Sequence, residues 1–129
     1  MKRILIADDE PHVLRVMKMS LEKEDYEVDV AANGMEALAK IEQQAPDILI
    51  TDIQMPQMTG EELCRHISEY MPERQFLIFV LTSRTEIEHR EWSREIHNLL
   101  FLEKPVSIRN LVEKLDSYFA GCTDSWKVV

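Results

Sequence analysis

Asp8 and Asp9, Asp52, Thr82 and Lys104 share one position in the sequence pattern: each follows a short apolar run. Taken singly, each has an ordinary reading. A lone acid after a strand is usually a helix cap or a solvated loop residue, Thr82 alone suits a turn, and Lys104 alone is a solvated charge. Their joint occurrence points elsewhere. When ionised, Asp8, Asp9 and Asp52 carry three negative charges and Lys104 cancels one of them. Crowded carboxylates resist their own ionisation unless a cation is present. A divalent, oxygen-seeking ion balances the remainder. Mg²⁺ fits, because it keeps several waters, takes one or two carboxylates and completes its shell with phosphate. The group therefore suits phosphoryl chemistry, with Asp52 as the nucleophile. Mg²⁺ and Lys104 would neutralise charge on the transferred oxygens, and the Thr82 hydroxyl could donate a hydrogen bond to the product.

Such convergence needs elements that bring strand ends together. Ile48-Leu49-Ile50 is a buried strand by its continuous apolar character, ending at Asp52, with Pro56 in the following loop and Gly60 closing it. Arg3 to Ala7 is a first such strand, and Pro11 suits the first turn of a helix reaching about Glu24, with Val13, Leu14, Met17 and Leu21 as its apolar stripe. The acids before it favour the positive end of that helix. Glu27-Val28-Asp29-Val30 alternates as an edge strand does. Asn33-Gly34 is a turn signal, Ala37, Leu38 and Ile41 mark a short helix, and Ala45-Pro46 stops it. Gly60 opens a third helix with Leu63, Ile67 and Tyr70 inward. Phe76 to Leu81 is a fourth strand, running out at Thr82-Ser83. Thr85 and Glu88 have capping-box spacing for a fourth, highly charged helix from Glu86 to about His97. Leu99 to Leu102 is a short fifth strand. Ser107 caps a fifth helix striped by Ile108, Leu111, Leu115 and Phe119, and Gly121 ends it.

Five strands alternating with five helices predict a doubly wound, flavodoxin-like α/β domain with right-handed crossovers. In such sheets ligands sit beyond the carboxyl ends of the strands, which is where the polar residues fall. Residues 1–120 are expected to form one domain and residues 121–129 a tail or the start of a linker. The chain of 129 residues has room for one core, with 45% hydrophobic and 30% charged residues. A net charge of −9 and a pI of about 4.9 leave no basic stripe for nucleic acid and oppose an anionic membrane surface. No apolar run has transmembrane length and none suits a signal peptide. Cys64 and Cys122 lack metal-ligand spacing, which predicts free thiols in a reducing cytoplasm. His12, His66, His89 and His97 share no ligand spacing.

The motifs Asp8-Asp9, Asp52-Ile53-Gln54-Met55-Pro56-Gln57-Met58-Thr59-Gly60, Thr82-Ser83 and Lys104-Pro105 together resemble those of receiver domains of two-component response regulators, the CheY-like superfamily. The likeness runs from about Arg3 to Phe119. It implies strand order 2-1-3-4-5. It implies that Asp52 accepts a phosphoryl group from a phosphohistidine on a sensor kinase or a phosphotransfer protein. Asp9 would ligate Mg²⁺ directly, together with Asp52 and the backbone carbonyl of Gln54, and Asp8 would act through water. Lys104 would pair with the phosphoryl oxygens. Thr82 would be the switch hydroxyl and Phe101 the aromatic that turns inward with it, altering the face made by the fourth helix, fifth strand and fifth helix. Gln54 and Arg84, two residues past Asp52 and Thr82, border the phosphoryl group and would lengthen its lifetime by limiting attack by water. A downstream protein or effector domain is implied as a partner, with a homodimer open among the assemblies. His97-Asn98 stands where receivers often carry Gly-Ala.

Two other readings use the same architecture. A phosphatase working through an aspartyl-phosphate commonly needs a second acid two residues after its nucleophile, where this chain has Gln54. A flavin or nucleotide carrier needs a Gly-rich or Ser/Thr-rich loop after the first strand, where this chain has Asp8-Asp9-Glu10-Pro11.

Overall fold

Five apolar runs lie side by side as β1 (Arg3–Ala7), β2 (Glu27–Ala31), β3 (Ile48–Asp52), β4 (Leu77–Thr82) and β5 (Leu99–Glu103), all parallel, in the order β2-β1-β3-β4-β5. The computed structural model describes residues 1–83, 91–104 and 106–121. β3 and β4 occupy the middle of the sheet and are buried at every residue. That is why their sequences are continuous in Ile, Leu, Val and Phe. β2 and β5 are the edges and alternate or half-expose their side chains.

Alternation along each strand builds two cores. Ile4 and Ile6 of β1, Ile48 and Ile50 of β3, and Leu77, Phe79 and Leu81 of β4 face one side. They are covered by α1 (Pro11–Glu22), through Leu14, Met17 and Leu21, and by α4 (Ile108–Phe119), through Leu111 and Leu115. Leu5, Leu49, Ile78 and Val80 face the other side under α2 (Gly34–Gln43) and α3 (Gly60–Tyr70).

Helix starts follow local chemistry. Pro11 occupies the first helical position of α1, and Asp8 to Glu10 precede that helix without entering its first turn. Asn33 caps α2, and Ser107 caps α4. α3 begins with a full capping box, in which the Thr59 hydroxyl accepts from the Glu62 N–H while the Glu62 carboxylate accepts from the Thr59 N–H.

Three expectations change. The described residues contain four α-helices, not five. Most of the expected fourth helix, with its Thr85 cap, falls on residues 84–90, outside the described residues, and the described remainder carries a single 3-10 turn at Glu91–Ser93. Tyr70 does not point inward. It is 65% exposed and stacks on His66 with ring centroids 4.5 Å apart, while Cys64 takes the buried place beside Leu63 and Ile67. α1 also ends at Glu22, two residues early, as the chain turns through Asp25 at φ 67°. No helix among the described residues is long and apolar enough to cross a membrane.

Candidate functional site

The carboxyl ends of β1, β3, β4 and β5 carry Asp8, Asp52, Thr82 and Lys104 to one end of the sheet. Asp8 is fixed one residue past β1, where its N–H donates to the Ala31 carbonyl at 3.1 Å and continues the ladder to β2. Its carboxylate turns back to accept the Glu10 N–H at 2.9 Å. Asp52 ends β3 opposite Leu81 of β4, and its Oδ1 accepts the Ile53 N–H at 2.8 Å. Lys104 follows β5 and donates its N–H to the Thr82 carbonyl at 2.7 Å. From there its ammonium reaches Asp52 Oδ1 at 2.8 Å.

Asp8, Asp9 and Asp52 each offer a carboxylate oxygen, and the three atoms lie within 4.8 Å of one another. Asp8 and Asp52 are buried, whereas Asp9 is exposed. Burial pushes the Asp8 carboxyl above its ordinary value. The Glu10 N–H and Lys104 oppose that shift, while the charges of Asp52 and Asp9 add to it. Among the described residues, one ammonium beside three acids leaves the cluster short of positive charge. An all-oxygen donor set with neither histidine nor thiolate suits a hard cation such as Mg²⁺.

The remaining expected residues lie as follows. Thr82 is fully buried at the end of β4, with its hydroxyl 3.1 Å from the Ser83 carbonyl. Gln54 is exposed in the loop after β3. Phe101 lies within β5, half-buried, with its ring edge-on to Trp92 at 5.7 Å. Arg84 falls outside the described residues.

Several contributors to the site were not visible as such in the sequence. The N–H groups of Ile53 and Glu10 hold the two buried carboxylates, and backbone donors leave no residue-type signature. Gly60 seals the loop after β3 by donating its N–H to the Ile53 carbonyl at 2.8 Å; a Cβ there would lie 2.1 Å from the Asp52 carbonyl oxygen. Its place as a helix opener was legible, but its close approach to β3 was not.

The family model for the response regulator receiver domain matches residues 4–116. The chain belongs to this family, and with it to the phosphorylatable switches of two-component signalling. It is 36% identical over 110 residues to the transcriptional regulatory protein ResD of Bacillus subtilis, a match covering 85% of this chain and 45% of that protein. It is 28% identical over 121 residues to protein PilH of Pseudomonas aeruginosa, covering 94% of this chain and all of PilH. Among solved structures, the response regulator TrrA of Thermotoga maritima, determined in complex with Mg²⁺ and BeF, superposes with a TM-score of 0.78 at 33% identity over 91% of this chain and 98% of that one. The chain spans less than half the length of ResD and of the similarly matched TrcR of Mycobacterium tuberculosis.

Proposed function

We propose that Asp52 is the phosphoacceptor and that a phosphohistidine on a sensor kinase or a phosphotransfer protein is its donor. The observation that carries this reading is the contact between Lys104 Nζ and Asp52 Oδ1 at 2.8 Å, inside the cluster formed with Asp8 and Asp9. Two donors, the Lys104 ammonium and the Ile53 N–H, occupy Oδ1. Oδ2 is therefore the oxygen that attacks. Its bond to phosphorus forms as the phosphorus–nitrogen bond of the donor breaks, and the departing imidazole keeps the electron pair and takes a proton from solvent. Lys104 then turns from the carboxylate to the phosphoryl oxygens, and the Thr82 hydroxyl donates to them.

Asp9, Asp52 and the Gln54 carbonyl would hold Mg²⁺ directly, with Asp8 acting through water. When bound, the ion supplies the positive charge that the acids and the phosphoryl oxygens require. The chain's own groups carry out the acceptance, so a small phosphodonor can replace the kinase. Gln54 and Arg84 limit attack by water on the acyl phosphate and slow its loss.

The phosphoryl group shifts an existing equilibrium through Thr82 and Phe101. The surface that changes is β5, α4 and the segment before β5, read by a downstream protein, an effector domain or a second copy of the chain. Residues 1–120 form the switch, and residues 121–129 serve as a tail or the start of a linker.

The test is stoichiometry. Phosphorylated kinase in excess should label the protein to one phosphoryl group per chain, and Asp52→Asn should accept none. Continuous turnover of donor well beyond one equivalent, with no labelled protein, would favour a hydrolase. Comparing loss of the label in wild type and Arg84→Ala tests the lifetime role; equal rates remove it.

A further inference from the structure

The loop between β3 and α3 carries Gln54, the one proposed metal ligand that is a backbone atom, and so its placement depends on how that loop is held. Inside the loop, the Ile53 carbonyl accepts the Gly60 N–H at 2.8 Å, the Met55 side chain is buried in the core, and the Met58 N–H reaches the Pro56 carbonyl at 2.7 Å. Gln57 adopts φ 68°, which bends the chain back toward Met58. A further tether comes from another element. The N–H of Gly34, the first residue of α2, donates to the Met58 carbonyl at 3.2 Å.

This tether has no room for a side chain. A Cβ on Gly34 would lie 2.4 Å from the Met58 carbonyl oxygen, 2.7 Å from Met58 Cβ and 2.8 Å from Met58 Cγ, all closer than the 3.0 Å that Cβ atoms keep from such neighbours. The nearest of these atoms is backbone, so rotating the Met58 side chain does not relieve the contact. α2 has little freedom to retreat, because Ala37, Leu38 and Ile41 are buried beneath it. The loop must give way instead. Mg²⁺ tolerates little departure from octahedral geometry.

We propose that Gly34 is a positioning residue for metal binding. Its missing side chain lets the β3–α3 loop seat against α2, and this seating fixes the Gln54 carbonyl relative to Asp9 and Asp52. The inference rests on the proposed metal ligands, and it adds a residue on a different element that touches neither metal nor phosphate.

The experiment is a calorimetric titration of the whole chain with MgCl₂, comparing wild type, Gly34→Ala and Met35→Ala. Met35 is an exposed neighbour on the same helix and serves as the control. Gly34→Ala should bind Mg²⁺ about tenfold more weakly, the lower end of what losing a ligand's support costs. Met35→Ala should match wild type. At saturating Mg²⁺, Gly34→Ala should reach the wild-type extent of labelling by acetyl phosphate. Unchanged Mg²⁺ affinity in Gly34→Ala overturns the inference, as does lost labelling at saturating metal with unchanged affinity. Wild type that binds no Mg²⁺ overturns the reading of the acid cluster itself, which is a different result. If Gly34→Ala does not fold, amide spectra of the wild type decide. The Gly34 N–H resonance should move during the Mg²⁺ titration with the same midpoint as that of Gln54, and a stationary Gly34 signal overturns the inference.

Discussion

Asp8 shows how one side chain couples metal, proton and stability. Its carboxyl is held above the ordinary 3.8 first by burial, with the nearby charges of Asp52 and Asp9 adding to the effect. The folded protein therefore grips the Asp8 proton more tightly than the unfolded chain does. The stability this group contributes is complete below pH 3.8 and is lost as pH rises through the higher folded value. At neutral pH without metal, ionised Asp8 is a net cost. Asp8→Asn keeps an acceptor for the Glu10 N–H and removes that charge. Its melting temperature without divalent cations should exceed that of wild type at pH 7, and the gap should close as the pH falls below 3.8. A variant no more stable than wild type at neutral pH would contradict this. Lys104 makes a different prediction. Removing the one cation that contacts Asp52 among the described residues should slow labelling by acetyl phosphate roughly a hundredfold at saturating Mg²⁺, the loss typical of one transition-state donor. Metal affinity should not fall, because Lys104→Ala leaves the cluster more negative. An unchanged labelling rate would remove Lys104 from the chemistry. These residues were legible because carboxylates and a lysine at strand ends are visible by type. The N–H groups of Ile53 and Glu10 were not, since every residue but proline carries one.

The strands were the most legible elements. Ile48-Leu49-Ile50 and Leu77 to Leu81 are continuously apolar because both faces of β3 and β4 are covered, and that pattern survives without any partner in view. Helix faces were less so. Placing Tyr70 inward on α3 followed helical spacing from Leu63 and Ile67, yet Cys64 fills the core and Tyr70 lies beyond its edge against His66. The Thr59–Glu62 capping box is written in the sequence as Thr-x-x-Glu, but Gly60 beside it is the more conspicuous signal of a helix start. The close approach of Gly60 to β3 depends on a loop path that a glycine in a turn signal does not reveal. Gly60→Ala should therefore destabilise the fold by about 2 kcal/mol, as overpacking a tight site does, because its Cβ would lie 2.1 Å from a backbone oxygen of β3. Chemical denaturation measures this, and a loss below a few tenths of a kcal/mol would show that the loop yields freely. Arg74 was also silent in the sequence. Its buried guanidinium donates to the Phe76 carbonyl at 2.8 Å and to the His97 carbonyl. Asn98, at φ 54°, donates to the Gln75 carbonyl at 3.1 Å. These bonds explain physically how His97-Asn98 is accommodated in the link before β5: the segment is tied to the one before β4.

At the scale of the whole molecule, the strand order β2-β1-β3-β4-β5 decides where chemistry can occur. It sets β1 beside β3 and β3 beside β4, so acids distant in sequence meet at one end, while two separate cores anchor the strands from either face. Alternation of strands and helices made the class of fold legible. The order of strands came from the likeness of the motifs to receiver domains, because strand order is a pairing between distant segments that local pattern does not encode. The chain's net charge of −9 gives it no excess of positive charge with which to meet a nucleic-acid backbone. The central claim is that Asp52 becomes an acyl phosphate, and intact-mass analysis after incubation with acetyl phosphate and MgCl₂ tests it most directly. Wild type should gain one phosphoryl group, lose it on treatment with hydroxylamine and fail to gain it in excess chelator, while Asp52→Asn should gain none. An unchanged wild-type mass, or equal labelling of Asp52→Asn, would contradict the claim.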